Sequence, residues 1–97
     1  MTTYISFETE DLASRSLAAE KRSLVENAFS SASSVMFDFK DVQSISASYA
    51  DELFGVLCLK YGSEEVTKNI RLQNCNNFCA QQVAEAILRR TKRQIAA

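Results

Sequence analysis

The residues best equipped for chemistry crowd one stretch, SISASYADELFGVL at 44–57: Ser46, Ser48, Tyr49, Asp51 and Glu52. Serine hydroxyls donate, accept and take up phosphate, and carboxylates accept hydrogen bonds or hold hard cations. Local helix physics accounts for part of this. Ser48-Tyr49-Ala50-Asp51 has the form of a capping box, with the Ser48 hydroxyl on the third helical amide and Asp51 reaching back. A cap of this kind contributes about 1 kcal/mol. Asp51 and Glu52 would also face the positive end of the helix dipole. A cap needs one serine, however, and here Ser44, Ser46 and Ser48 alternate. The surplus points to recognition through this turn, with Tyr49 adding apolar contact and a polar tip. It also makes Ser48 the candidate phosphorylation site, because free amides and the dipole favour added negative charge. Against a phosphate, Asp51 and Glu52 would repel it from one turn away.

Other chemistry has less material. The chain has no histidine, which removes the commonest general base. Gly55 and Gly62 are its two glycines and form no phosphate loop. Asp38, Asp41, Asp51 and Glu52 could gather around Mg²⁺, so a small carboxylate-based metal- or ligand-binding enzyme using Asp38, Asp51 and Glu52 is one alternative. Cys58, Cys75 and Cys79 fall short of a four-ligand zinc site, and Cys75 and Cys79 lack the C-x-x-C redox spacing. They read as small buried side chains. No metal or cofactor is expected, and no residue is assigned as catalytic.

The elements that must position this stretch alternate. YISF (4–7) reads as a strand. A helix from about 12 to 29 carries Leu17, Leu24, Val25, Ala28 and Phe29 as its apolar stripe, with Ser14 as N-cap. SSASS (30–34) is a loop, VMFDF (35–39) a buried strand and KDVQS (40–44) a turn. A second helix from 48 to 61 ends at Gly62. NIRLQN (69–74) is a third strand, and a last helix runs from 77 to about 93 with Phe78, Val83, Ala84, Ile87 and Leu88 inward. Strand–helix alternation predicts an α/β fold: a mainly parallel sheet of three or four strands with about three helices, joined by right-handed crossovers. The helices are too few to cover both faces, so a bare face or edge is a candidate contact surface.

Ninety-seven residues suit a single domain over 1–97, and 46% hydrophobic content is enough for one core. Eleven basic residues against twelve acidic ones exclude a strong overall field. The charges are nonetheless segregated. Glu8, Glu10, Asp11 and Glu20 face only Arg15 within residues 1–20, and Arg89, Arg90, Lys92 and Arg93 close the chain. The basic tail, RRTKRQ (89–94), reads as a solvated helix end, so nucleic acid is not an expected partner. No apolar run reaches membrane-spanning length and no secretory signal is visible, which predicts a cytoplasmic protein, no membrane, and reduced cysteines.

VMFDFKDVQSISASYADELFGVL resembles the STAS-like domains of unknown function. Asp38, Phe39, Val42, Ser48, Tyr49, Ala50, Asp51, Glu52, Leu53 and Gly55 carry the likeness. The resemblance implies a small STAS-like layered domain related to the anti-sigma-factor antagonists, whose Asp-Ser-Ser-Gly turn falls here on Ser46-Ala47-Ser48-Tyr49 and matches Ser48 to their modified serine. The implied function is that of a non-enzymatic regulatory protein–protein interaction module. It would dock on a histidine-kinase-type ATPase or other protein through the loop 43–48 and the start of the second helix, with Ser46, Ser48, Tyr49, Asp51 and Glu52 as contacts. A phage or mobile-element inhibitor or adaptor reusing the fold is a further alternative, and a homodimer through a sheet edge or exposed helix is compatible with so small a fold.

Overall fold

The computed structural model describes the backbone of residues 1–96 and the side chains of residues 1–91. In chain order the elements are β1 (Thr2–Ser6), β2 (Asp11–Leu12), α1 (Arg15–Ser30), β3 (Ser34–Asp38), β4 (Ser44–Ile45), α2 (Ala47–Ala50), a π-helical segment (Asp51–Gly55), α3 (Val56–Tyr61), α4 (Ser63–Asn69), β5 (Ile70–Gln73) and α5 (Asn77–Ala96). The backbone stays in the right-handed helical region through Ala50, Asp51, Gly55 and Val56. α2, the π segment and α3 are thus one continuous middle helix.

The main sheet is parallel, in the order β1-β3-β5. Both crossovers step the same way across it. Right-handed connections that advance in one direction place their helices on one face. That face is the core. Thr3 and Ile5 of β1 sit beside Val35 and Phe37 of β3, which sit beside Ile70 and Leu72 of β5. Phe37 meets Phe54 of the middle helix edge-on, at 5.0 Å between ring centroids. Phe7, Phe39 and Tyr49 extend this aromatic cluster. The opposite face follows the strand alternation outward: Tyr4 on the edge strand β1 is 70% exposed, and Met36 beside it on β3 is half-buried. The α/β class, the parallel sheet and the bare face match the expectation.

Three features depart from it. β2 and β4 form a second, two-stranded parallel pair where the sequence suggested loop, turn and the start of the first helix, which begins only at Arg15; Asp11 lies opposite Ser44 and Leu12 opposite Ile45. Strands this short have no periodicity to read. Next, the chain re-enters a helix immediately after Gly62, whose φ of +86° suits the glycine. α4 has Glu64 and Glu65 in its first turn and buries only Val66. Finally, both long helices are rotated from their predicted stripes. α1 buries Ala18, Val25 and Ala28 and leaves Leu17 and Leu24 half exposed. α5 buries Cys79, Val83 and Ala86, with Ile87 partly covered, and exposes Phe78, Ala84 and Leu88.

Candidate functional site

The three alternating serines turn out to have three separate jobs. The Ser44 hydroxyl donates to the Asp11 carboxylate at 2.6 Å and fastens β4 to β2. Ser46, not Ser48, is the N-cap of the middle helix: its hydroxyl accepts the Tyr49 amide at 3.0 Å and donates to the Ala13 carbonyl at 3.3 Å. The predicted capping box at Ser48 is therefore corrected by two residues. The reason is the β2–β4 ladder, which binds the Ser46 amide to the Leu12 carbonyl at 2.8 Å and ends the extended backbone there. Ser48, left without a capping task, lies in the first helical turn, half-buried.

Ser48 opens onto a small polar pocket of about 160 Å³ lined by Ala47, Asp51, Arg15, Arg89 and Arg90. Arg15 comes from α1 and Arg89 and Arg90 from α5, so three helices build it. The loop before Ser46 is held by Asn76. Its side-chain amide donates to the Val42 and Gln43 carbonyls at 3.3 and 3.1 Å, while its carbonyl oxygen accepts the Cys79 amide at 2.8 Å and caps α5. One residue thus sets the start of α5 against the loop at 42–43.

Tyr49 is not a surface contact. It is 2% exposed, packed against Phe7, and burial followed by the nearby Glu8 charge pushes its phenol up to about 12. Asp51, at 8% exposed, is buried too. Neither acid completes a cap. Asp51 receives Arg90 in a two-pronged contact, Nε at 2.9 Å and Nη2 at 2.8 Å, and Arg15 at 3.5 Å. Glu52 pairs with Arg22 and with Arg15 at 3.3 Å, and its main-chain carbonyl accepts from Arg22 at 2.9 Å. Arg22 continues to Glu26 at 3.1 Å, and Glu26 to Lys60 at 2.7 Å. The result is an unbroken charged seam from α5 across the π segment and α1 to α3. Desolvated acids need such partners, because an unpaired buried charge is far costlier than a paired one.

The seam also explains Gly55. A Cβ at this position would lie 2.5 Å from Asp51 Oδ1 and 3.1 Å from Arg90 Cγ. The missing side chain is what lets α5 press its arginine onto the middle helix. Within the π segment the Val56 amide reaches back five residues to the Asp51 carbonyl, and the acids of this wider turn face α1 and α5 while Leu53 and Phe54 fill the core.

A family model for the STAS-like domain of unknown function (DUF4325) matches residues 21–78, more than half of the chain. The chain belongs to this STAS-like family. No curated protein and no solved structure matches it. The matched region of this STAS-like domain contains Ser46, Ser48, Asp51, Glu52 and Gly55, whereas Arg15, Arg89 and Arg90, which enclose the serine pocket, lie outside it.

Charge on the site is asymmetric. Arg90 first, then Arg15, hold the Asp51 carboxyl below its ordinary range, and Arg22 with Arg15 do the same for Glu52. The repulsion expected between these acids and a phosphate on Ser48 is thereby offset by arginines. Asp38 takes no part: it accepts from Asn74 at 2.9 Å and from the Lys40 amide at 3.0 Å, which lower its pKa. Among the described residues no three of Asp, Glu, Cys or His converge to hold a metal ion, so the predicted grouping of Asp38, Asp51 and Glu52 does not form one. Cys58 and Cys79 are buried and Cys75 half-buried, and burial raises all three thiols, Cys75 to about 11. Thiols so placed stay protonated and poorly reactive. No helix among the described residues is long and apolar enough to cross a membrane. Lys92 and Arg93 of the basic tail have side chains outside the described residues.

The arginines are what sequence reasoning missed. A signal was present: Arg15 and Arg22 are spaced seven apart, as are Ala18 and Val25, so they share one face of α1, and Asp51 and Glu52 sit inside the otherwise apolar middle helix, where charges demand partners.

Proposed function

We propose that this STAS-like domain is a regulatory protein–protein interaction module without enzymatic activity, docking through Gln43, Ala47, Ser48 and Arg89 at the start of the middle helix. The observation that carries the reading is that the half-buried Ser48 lines a pocket with three arginines, of which Arg15 and Arg90 are held by Asp51 while Arg89 stands exposed. A phosphate on Ser48 would find charge-assisted donors there, and its presence would invert the local field that a partner meets. The resemblance to anti-sigma-factor antagonists points to a partner of the histidine-kinase-type ATPase class, which would bind the domain and transfer the γ-phosphate of its ATP to the Ser48 hydroxyl, releasing ADP and the hydroxyl proton. Tyr49, Asp51 and Glu52 contribute by holding the turn in place and not by touching the partner.

Calorimetric titration of the purified domain with the kinase-type ATPase encoded nearest its gene tests this. Ser48→Glu and Arg89→Glu are each expected to weaken association at least about tenfold, roughly 1.4 kcal/mol. Mass spectrometry after incubation with Mg-ATP should place phosphate on Ser48. Unchanged association by both folded variants would remove the surface from consideration.

A further inference from the structure

On the other side of α1 from the seam lies a groove of about 460 Å³, floored by Leu12, Leu17, Leu24 and Tyr49. Leu17 is 51% and Leu24 48% exposed, two turns apart on one helix face. Most of the lining, from Glu8 to Glu20, precedes the family-matched residues 21–78. The rim is acidic: Glu8, Asp11 and Glu20 surround it. Its one cation, Lys21, is engaged by Glu8 and by the Ser6 carbonyl, both at 2.8 Å. Arg15, the one basic residue of the first 20, is turned away to Asp51 and Glu52. The N-terminal acidity noted in the sequence is thus gathered around apolar side chains left uncovered, in a space of the size that seats ligand groups.

We infer that this groove binds a basic amphipathic helical segment of a partner protein, with apolar side chains against Leu17 and Leu24 and flanking Lys or Arg on Glu8, Asp11 and Glu20. Apolar anchors give such contacts most of their affinity, and complementary rim charges give selectivity and salt dependence. The contact lies apart from the Ser48 pocket and does not depend on the function proposed for it.

The test is amide chemical-shift mapping of the isotope-labelled chain titrated with a synthetic Leu/Lys amphipathic helix, a Leu/Glu twin and a Ser/Lys twin. The Leu/Lys peptide should shift the amides of residues 9–14 and 17–24 saturably, and the affinity should fall severalfold between about 0.05 and about 0.5 M salt. The two twins should leave those amides in place. Leu17→Ser/Leu24→Ser should keep a dispersed spectrum and lose at least about tenfold in affinity, Glu20→Lys severalfold, and Ser48→Glu nothing. That last variant separates failure here from failure of the Ser48 reading. No shift, shifts elsewhere, or equal response to the Leu/Glu twin overturns the inference. So does sedimentation of a dimer that Leu17→Ser/Leu24→Ser dissolves, since a second copy would then be the occupant.

Discussion

The two sides of α1 are inverted relative to what their residue types suggest. Arg22 lies between Ala18 and Val25 against the middle helix, its side chain largely buried, while Leu17 and Leu24 of the same helix face solvent half exposed. The difference teaches where each kind of group is tolerated. Charges go inside this fold where every one finds its opposite within a salt bridge, because only complete pairing offsets desolvation. Leucines stay outside where the adjoining chain, from Glu8 to Ser14, curls into a wall and leaves a groove. One side of α1 is a settled internal contact, and the other is an open one.

The sharpest way to break this contrast is to unpair the seam. Arg90→Met leaves the buried Asp51 with only the half-exposed Arg15 at 3.5 Å, and a loss of about 2–3 kcal/mol is expected in urea unfolding. Asp51→Leu/Arg90→Met should recover much of it, since removing both charges leaves neither stranded. The pH dependence follows from the same pairs. Asp51, Glu52 and Glu26 are held below their ordinary values by Arg90, Arg22 and Lys60 respectively. A carboxyl with a depressed folded pKa contributes stability that is complete above its unfolded value and lost as the pH falls through the folded one. Stability should therefore decline as acid is added from about pH 4.5 downward, more shallowly in the double variant, and a pH series of melting curves would show it.

Gly55→Ala sharpens the comparison by acting on the seam without touching a charge. Alanine favours helix over glycine by about 1 kcal/mol, yet the new Cβ collides with Asp51 and crowds Arg90. A net loss of about 1–3 kcal/mol is expected in the same unfolding measurement. Stabilisation instead would mean that α5 does not press on the middle helix. The smallest effect separates the serines: Ser46→Ala should cost about 1 kcal/mol as a lost cap, and Ser48→Ala no more than about 0.5 kcal/mol. Equal losses would mean that both serines support the fold.

Much of the architecture was legible. The strand cores YIS, VMFD and IRLQ, the loop at 31–33, the Ser14 cap and the helix end at Gly62 all follow from alternation, period and turn residues, which act locally. α4 and the β2–β4 pair were not, being too short for a periodic signal. The site was legible in position more than in role. Ser48 stayed half accessible, whereas Tyr49 and Asp51 went inside and Ser46 took the cap.

By itself, the sequence determined that this chain would be a layered α/β fold with its polar excess at the start of the middle helix, because helix and strand periods, caps and glycine turns are properties of neighbouring residues. Only the tertiary structure decided which face of each helix is inside and which charges meet. Arg15, Arg22 and Arg90 are far from Asp51 and Glu52 along the chain, and nothing local says that they will share one interface. Electrostatic partners and exposed leucines are outcomes of how α1, the middle helix and α5 settle on one side of a three-stranded sheet.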